Sequence, residues 1–418
     1  MNSNHVLIGN GRLPYEVLIQ VFDYYLEHET ALYPIETLLL VCKAWSEAAS
    51  GRPSLWATYR IKVGDETITK LWVHRLPLRL RQSGSHIPLY IDITSPPNNL
   101  PDNDSWFSSP IFTGAVIIRN ADYLHTLKLL EILAGKDGRL CSRWKSLRLL
   151  LASALRIEDG AEELIYPLTY PMPALQSLHL TLRCRYSGSV PLNKRRVLFP
   201  ELPSLESITL ATFHMENYPD MSHARRITFH RGYALEGGIR RRGLFNAPNV
   251  EILSIFHDGF GFNLPDVYPT LRKLILTGPK LGFGLETVSM PCLEELIIQY
   301  SKHMVLEEAA NLQDIGRIHT IHLTAAPPIQ PTHDRRPESR AIGALLGVCQ
   351  DLRTLKADEY VLSLILKDWK HYLQPTSPLR VVFAKNSGED REIDIGDVSP
   401  TLEWNRIVEL ANASQDGS

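Results

Sequence analysis

Apolar residues in the first sixty positions recur at the spacing of short helices. The first helix carries an apolar face at positions i, i+1, i+4, i+5 and i+8, made of Val17, Leu18, Val21, Phe22 and Tyr25. Proline suits the first turn of a helix, so Leu13-Pro14 is a fitting start. A second helix has an apolar face formed by Leu38, Val41, Cys42, Trp45, Ala48 and Ala49. A segment of this size cannot bury so many large groups by itself, so we expect something else to cover part of them.

A second pattern begins at residue 144, where a unit of the form LxxLxL starts to recur. The units begin at residues 144, 175, 205, 224, 250, 271, 293, 318 and 352, and a proline stands just before five of them. One such unit arises easily by chance, whereas nine in sequence at intervals of 19–34 residues do not. The fourth and sixth residues of a unit lie on one side of a short strand, so stacked units predict a parallel sheet above a continuous apolar interior.

The remaining pattern supplies the connecting elements and the domain boundaries. It predicts helices over 65–75 and 121–133, strands over 87–93 and 115–119, and a proline-rich loop over 95–105. Past the repeats it predicts helices over 341–349 and 360–372, a strand over 379–384, an acidic turn over 387–397 and a capping helix over 401–410. The predicted divisions are a disordered start (1–10), a helical domain (11–60), a connecting region (61–140), a solenoid (141–385), a capping segment (386–410) and a disordered tail (411–418).

The helical start resembles an F-box. The residues that carry the resemblance are Leu13-Pro14, Glu16-Val17-Leu18, Phe22, Val41-Cys42-Lys43-x-Trp45 and Leu55-Trp56. It implies a helical hairpin that binds the Skp-type adaptor of a cullin–RING (SCF) ubiquitin ligase. The implied adaptor contacts are Leu13, Pro14, Val17, Leu18, Phe22, Val41, Cys42, Trp45 and Trp56, some of which must instead pack inside the hairpin. The loop over 27–37 is longer than the compact family pattern, and either weakens adaptor binding or bulges into solvent.

The segment that follows, with Trp72 and the strand over 87–93, is similar to F-box families of fungi. The LxxLxL units in turn resemble leucine-rich repeats, whose period is about 20–29 residues. This resemblance covers residues 143–383 and implies an irregular α/β solenoid, with a parallel sheet on the concave face and helices or loops on the convex face. The concave face would bind a target protein through His179, His230, Ile252, Phe256, Ile275, Ile297, Gln299 and His322. If loops fold over the apolar centre of this face, that centre is core instead.

Composition and charge exclude several classes of protein. The chain has 418 residues and a net charge of −2, so no global field attracts it to nucleic acid or to an anionic membrane. We expect no signal peptide, because the N-terminus lacks a charged region followed by a long apolar run. We expect no membrane span, because no apolar stretch approaches about 18 residues, which leaves the cytosol, the nucleus or both. The five cysteines are widely spaced without a CxxC pair, which favours free thiols over a disulfide framework or a zinc site.

Motifs for catalysis are missing from the sequence: there is no GxSxG, P-loop, HExxH or GxGxxG after a strand. We therefore predict no catalytic residue, metal ligand or cofactor. The glycine pairs at 259–261 and 282–284 favour turns over phosphate-binding nests, and the arginine runs at 195–196, 240–242 and 335–336 favour solvated loops over anion sites. A remote alternative is an enzyme that uses His179, His230 or His322.

These observations predict a substrate-recognition adaptor of an SCF ubiquitin ligase that carries out no bond chemistry itself. The helical domain would hold the ligase scaffold, the repeats would hold a target, and proximity would raise the rate of ubiquitin transfer. The alternative is an interaction scaffold outside the ligase, whose F-box-like hairpin either is a relic or binds its adaptor without joining a cullin.

Overall fold

The computed structural model describes residues 13–28, 34–63, 66–94, 120–155, 166–184, 199–211, 219–230, 247–256, 265–278, 285–300, 303–325, 336–358, 360–362, 364–365, 380–384 and 390–393. Its helices are α1 Tyr15–His28, α2 Pro34–Val41, α3 Lys43–Ser50, α4 Glu66–Gln82, α5 Asn120–Ala134, α6 Met304–Ala310 and α7 Arg336–Val348. Its strands are β1 Thr58–Lys62, β2 Leu89–Thr94, β3 Trp144–Leu155, β4 Ser177–Cys184, β5 Ser207–Ala211, β6 Arg226–His230, β7 Ile252–Phe256, β8 Lys273–Gly278, β9 Glu295–Tyr300, β10 Thr320–Ala325, β11 Thr354–Ala357, β12 Arg380–Ala384 and β13 Asp390–Ile393.

Helices α1 to α3 form the N-terminal domain, and two sequence-based expectations about them are wrong. The predicted second helix is two helices, because the backbone at Cys42 is extended (φ −163°, ψ 170°) and interrupts the helical hydrogen bonds. The predicted loop over 27–37 is shorter than expected, since α1 continues to His28 and α2 begins at Pro34. Ile35 of α2 is buried, so this part of the expected loop packs into the domain.

The strands form one sheet in which spatial order follows chain order from β1 to β13. Each strand pairs in parallel with the next up to β12, and only β13 runs antiparallel to its neighbour. Parallel strands added one after another in this way are the architecture of a solenoid. The predicted repeat units thus coincide with strands β3 to β11.

The sheet begins earlier than the sequence indicated. Strand β1 starts at Thr58, directly after the N-terminal helices, and pairs in parallel with β2, which pairs with β3. The region over 61–140 therefore contributes to the sheet and is more than a connection before residue 141. The strand predicted over 115–119 and the capping helix over 401–410 lie outside the described residues, and part of the predicted acidic turn is strand β13.

One face of the sheet is buried along its length, as alternation along a strand requires. In β8, for example, Leu274 and Leu276 are fully buried, whereas Lys273, Ile275 and Thr277 on the opposite face are half-buried. The buried face forms a continuous core with α4, α5, α6 and α7. We call the opposite face the outward face. None of the helices in the described part of the chain combines the length and apolar character needed to cross a bilayer.

A backbone ladder joins successive repeats where the strands begin. The carbonyl oxygen of Arg225 accepts hydrogen bonds from the N–H groups of Glu251 (2.8 Å) and Ile252 (2.9 Å). The carbonyl of Glu251 in turn accepts from Arg272 and Lys273. The residues whose carbonyls accept such a pair are Gln176, Glu206, Arg225, Glu251, Arg272, Glu294 and His319. From Glu206 to Glu294 the charges alternate from one repeat to the next, which avoids like charges side by side where adjacent strands begin.

Candidate functional site

The residues that the F-box pattern singled out divide into a buried and an exposed set. Leu18, Phe22 and Trp56 are buried in the core of the N-terminal domain. The ring of the half-buried Trp45 meets that of Phe22 edge-on, with the ring centroids 5.1 Å apart. Trp56 is held further by a hydrogen bond from its Nε1 to the carbonyl oxygen of Ala49 (2.9 Å). These four residues stabilise the helices and offer little surface to a partner.

The exposed set forms a surface that another protein could cover. Leu13 is 50% exposed and Val41 54% exposed, and Pro14, Val17 and Cys42 are exposed as well. Val17 follows Leu13 by four positions, which places them along one side of α1 and the turn before it. We call Leu13, Pro14, Val17, Val41 and Cys42 the apolar handle.

Three further exposed side chains of α1 and α2 are not among the adaptor contacts that the sequence implied. Leu40, beside Val41, is 84% exposed, and Val21 and Tyr24 of α1 are also exposed. The sequence places Val21 on the same apolar face as Val17, Leu18 and Phe22, but not among the implied adaptor contacts. Only the packing of α1 against α2 and α3 separates Leu18 and Phe22, which face inward, from Val17 and Val21.

Polar contacts fix the N-terminal domain to the start of the sheet. Arg52, just before the 3₁₀ turn Pro53–Ala57, forms an ion pair with Asp23 of α1 at 3.0 Å. Arg60 of β1 donates from its guanidinium to the carbonyl oxygen of Leu26 (2.9 Å), which lies near the end of α1. Because both contacts reach back to α1, they hold this helix against the segment that enters the sheet.

A buried arginine lies at the same junction. Arg79 of α4 lies over the rings of Tyr59 and Trp72, at 5.5 and 5.1 Å from their centroids, and donates to the carbonyl oxygen of Thr58 (3.3 Å). Burial lowers the pKa of the Arg79 guanidinium, and the negative charge of Glu36 on α2 opposes that shift. A residue of α2 thus helps to stabilise a buried charge beneath β1.

The predicted target-binding residues all lie on the outward face of the sheet. Their strands run from β4 to β10, and each side chain is half-buried between its neighbours: His179, His230, Ile252, Phe256, Ile275, Ile297, Gln299 and His322. The parallel register places Ile275 beside Ile297 and Ile297 beside His322. Whether this face binds a target stays a prediction.

The centre of the outward face is apolar and its surroundings are polar. Ile252, Phe256, Ile275 and Ile297 come from three adjacent strands, and we call them the apolar centre. His230 stacks on Phe256 with ring centroids 4.0 Å apart, which extends the flat aromatic surface to β6. Beside these residues, Lys273 and Glu295 form an ion pair at 3.0 Å across β8 and β9.

The three histidines of the enzyme hypothesis do not share a site. They stand on β4, β6 and β10, and at about 4.8 Å per strand His179 and His322 are roughly 29 Å apart along the sheet. Each of these two contacts a threonine on its own strand: His179 contacts Thr181 (3.3 Å) and His322 contacts Thr324 (3.2 Å). Within the described ranges no three His, Cys, Asp or Glu side chains are grouped to hold a metal ion.

Four of the five cysteines have described side chains, and all four are free thiols. Cys141 and Cys349 are buried, which raises the pKa of each thiol to about 12, whereas Cys42 and Cys292 are exposed. The glycine pairs and the arginine runs lie outside the described residues, apart from Arg336 at the start of α7.

Comparison with known families bears on the N-terminal domain. Residues 11–62 match the F-box-like family model. The matched range includes α1 to α3 and ends with β1, so the F-box-like domain and the sheet share a strand. F-box domains generally bind Skp-type adaptors, and the presence of one suggests the general role of an SCF substrate adaptor. No curated protein matches the chain.

Proposed function

We propose that this protein is a substrate-recognition adaptor of an SCF-type cullin–RING ubiquitin ligase. Its F-box-like domain binds a Skp-type adaptor, and the outward face of its sheet binds a target protein. The observation that supports this proposal most strongly is that the matched domain leaves the apolar handle and Leu40 uncovered. Exposed apolar side chains that lie close together mark interaction sites in proteins.

The proposed adaptor site consists of the apolar handle together with Val21, Tyr24 and Leu40. Removing such side chains from water favours association by about 25 cal/mol per Å² of apolar area, from which the entropy lost on binding is subtracted. Leu18, Phe22, Trp45 and Trp56 serve the site indirectly, because they hold α1 against α2 and α3. Substitutions in the two sets therefore have different consequences: one set weakens adaptor binding, and the other unfolds the domain.

The proposed mechanism is proximity. The protein would hold a target near the ubiquitin carrier of the ligase, and the gain in effective concentration would accelerate transfer. In this role the chain needs no catalytic residue, metal or cofactor. The ion pair of Arg52 with Asp23 and the hydrogen bond from Arg60 to Leu26 favour a fixed distance between the two binding surfaces.

The test is co-expression of the chain with a Skp-type adaptor and a cullin, followed by affinity purification. The wild type is expected to retain both proteins. The double variant Val17→Asp/Leu40→Asp is expected to lose both while keeping its thermal unfolding temperature. Leu78→Asp is the matched control, because Leu78 is also highly exposed but lies on α4, outside the matched domain. Retention of the adaptor by the double variant would refute the assigned site.

The alternative of a scaffold with a relic F-box rested on the long loop over 27–37. Only residues 29–33 separate α1 from α2, so the loop supports this alternative less than the sequence indicated. The same purification separates the two functions. Adaptor without cullin indicates a scaffold, whereas both together indicate a ligase component.

A further inference from the structure

Each side of the apolar centre carries a positive charge on the outward face. Arg226 of β6 is exposed beside Ile252, and Lys356 of β11 stands beside His322. Within the described residues, neither Arg226 nor Lys356 forms an ion pair. The apolar centre therefore lies between two cations that lack a carboxylate partner on this face.

The carboxylates of the same face are already engaged. Glu295 is paired with Lys273, as described above. Asp358, at the end of β11, is buried, and its oxygens accept hydrogen bonds from the N–H groups of Ala325 (2.7 Å) and Val361 (2.8 Å). On the described strands from β4 to β11, no outward-facing carboxylate remains to neutralise Arg226 or Lys356.

We infer that the outward face binds an acidic protein segment that carries large apolar side chains between its acidic positions. The apolar side chains would cover Ile252, Ile275 and Ile297, and the acidic groups would pair with Arg226 at one end and Lys356 at the other. This inference rests on the proposed function and specifies the class of target. A polyanion without apolar groups would leave the isoleucines uncovered, and a basic segment would be repelled at both ends.

The spacing of the strands sets the length of such a segment. From β6 to β11 there are five strand intervals, which is roughly 24 Å at about 4.8 Å each. An extended chain of about seven residues covers the same distance at about 3.4 Å per residue. The acidic positions are thus expected about seven residues apart in an extended segment, with the apolar residues between them.

The test is selection of a displayed library of random twelve-residue peptides on the immobilised full chain. The enriched peptides are expected to carry Asp or Glu on both sides of aliphatic or aromatic residues. Their affinity, measured by fluorescence anisotropy on synthetic copies, is expected to fall as salt rises, because the pairing groups are partly exposed.

Two double variants check the assignment with an equal change of charge. Arg226→Glu/Lys356→Glu is expected to weaken the selected peptides about tenfold or more. Arg81→Glu/Arg139→Glu is the matched control, because both arginines are exposed and lie outside the strands. Ile275→Thr/Ile297→Thr is expected to weaken the same peptides without changing their salt dependence.

Enrichment of basic or uncharged peptides, or no enrichment over the starting library, would overturn the inference. An equal loss in the control pair would do the same. Each variant is also tested for binding to the Skp-type adaptor. If the wild type binds the adaptor but does not enrich acidic peptides, the proposed function stands and this inference is refuted. If the wild type does not bind the adaptor, the proposed function itself is refuted.

Discussion

Trp56 donates a hydrogen bond from its indole Nε1 to the carbonyl oxygen of Ala49, while its neighbour Ala57 already belongs to the core beneath the sheet. The cores of the two parts of the protein thus meet at consecutive residues. No flexible linker stands between them, because Thr58 begins strand β1. This relationship makes Trp56 a junction residue as well as a core residue of the F-box-like domain.

Truncation of Trp56 is therefore expected to be costly. Trp56→Ala should lower the free energy of unfolding by about 3–5 kcal/mol, since it leaves a large cavity. Trp56→Phe should cost less, about 0.5–1.5 kcal/mol for the lost hydrogen bond, because the carbonyl of Ala49 still accepts from the N–H of Arg52 (3.4 Å). Denaturant titration followed by circular dichroism measures both values.

The control for the Trp56 variants is Tyr24→Ala, since Tyr24 is 67% exposed on α1. It is expected to change the free energy of unfolding by less than about 0.5 kcal/mol. A Trp56→Ala variant as stable as this control would contradict the role of Trp56 at the junction.

The alternating charges of the backbone ladder predict a stability effect without any change in the core. Arg272 lies between Glu251 and Glu294 on neighbouring repeats. Arg272→Glu would place three carboxylates in a row, and like charges on adjacent strands destabilise by about 0.2–1 kcal/mol per pair. We expect a lower thermal unfolding temperature in low salt and recovery of most of the loss in 1 M NaCl.

Arg272→Gln is the matched control for charge reversal at this position. It removes the attraction without adding repulsion, so its loss of stability should be smaller and less dependent on salt. If the Glu and Gln variants lose the same stability at every salt concentration, the charge pattern has no role in joining the repeats.

The thiols offer a test of the buried core by pH. Burial raises the pKa of Cys141 and Cys349 from 9.0 to about 12, so both stay protonated in the folded protein at pH 8. Iodoacetamide at pH 8 is expected to modify neither under native conditions. The pKa of each thiol is higher in the folded protein than in the unfolded chain. Burial of the protonated thiols therefore contributes fully to stability below about pH 9, and this contribution declines as the pH rises towards 12. Mass spectrometry of the native protein checks the labelling.

The exposed thiols report on the adaptor surface. Cys42 belongs to the apolar handle, and Cys292, just before β9, is exposed elsewhere on the chain. In a Cys184→Ser background, a Skp-type adaptor is expected to protect Cys42 from iodoacetamide and to leave the labelling rate of Cys292 unchanged. Equal labelling of Cys42 with and without bound adaptor would show that the adaptor lies elsewhere.

The sequence predicted the strands of the repeats well because their signal is local. Leu274 and Leu276 alternate with outward residues in one strand, and the same spacing recurs along the chain. Strand β1 was missed, since its two inward residues, Tyr59 and Ile61, are too few to stand out next to a helical domain. Likewise, spacing alone could not predict the break at Cys42, because the apolar face continues across it.

The division of the F-box residues depended on packing that sequence spacing does not contain. Val17 and Leu18 are adjacent and similar in character, yet only Leu18 points into the core formed with α2 and α3. Leu40 is not part of the apolar face that the sequence predicts for the second helix. Its exposure is evident only from the position of α2 in the structure. The sequence therefore identified the domain, whereas the structure separates its binding surface from its core.

Adaptor binding is the central claim, and its affinity is the most direct measurement. Isothermal titration calorimetry of the purified chain with a Skp-type adaptor is expected to give a one-to-one complex, and Val17→Asp/Leu40→Asp should weaken it by more than about 100-fold, or roughly 2.7 kcal/mol. Leu78→Asp should bind as the wild type does. The absence of binding by the folded wild type, or equal binding by the double variant, would contradict the account.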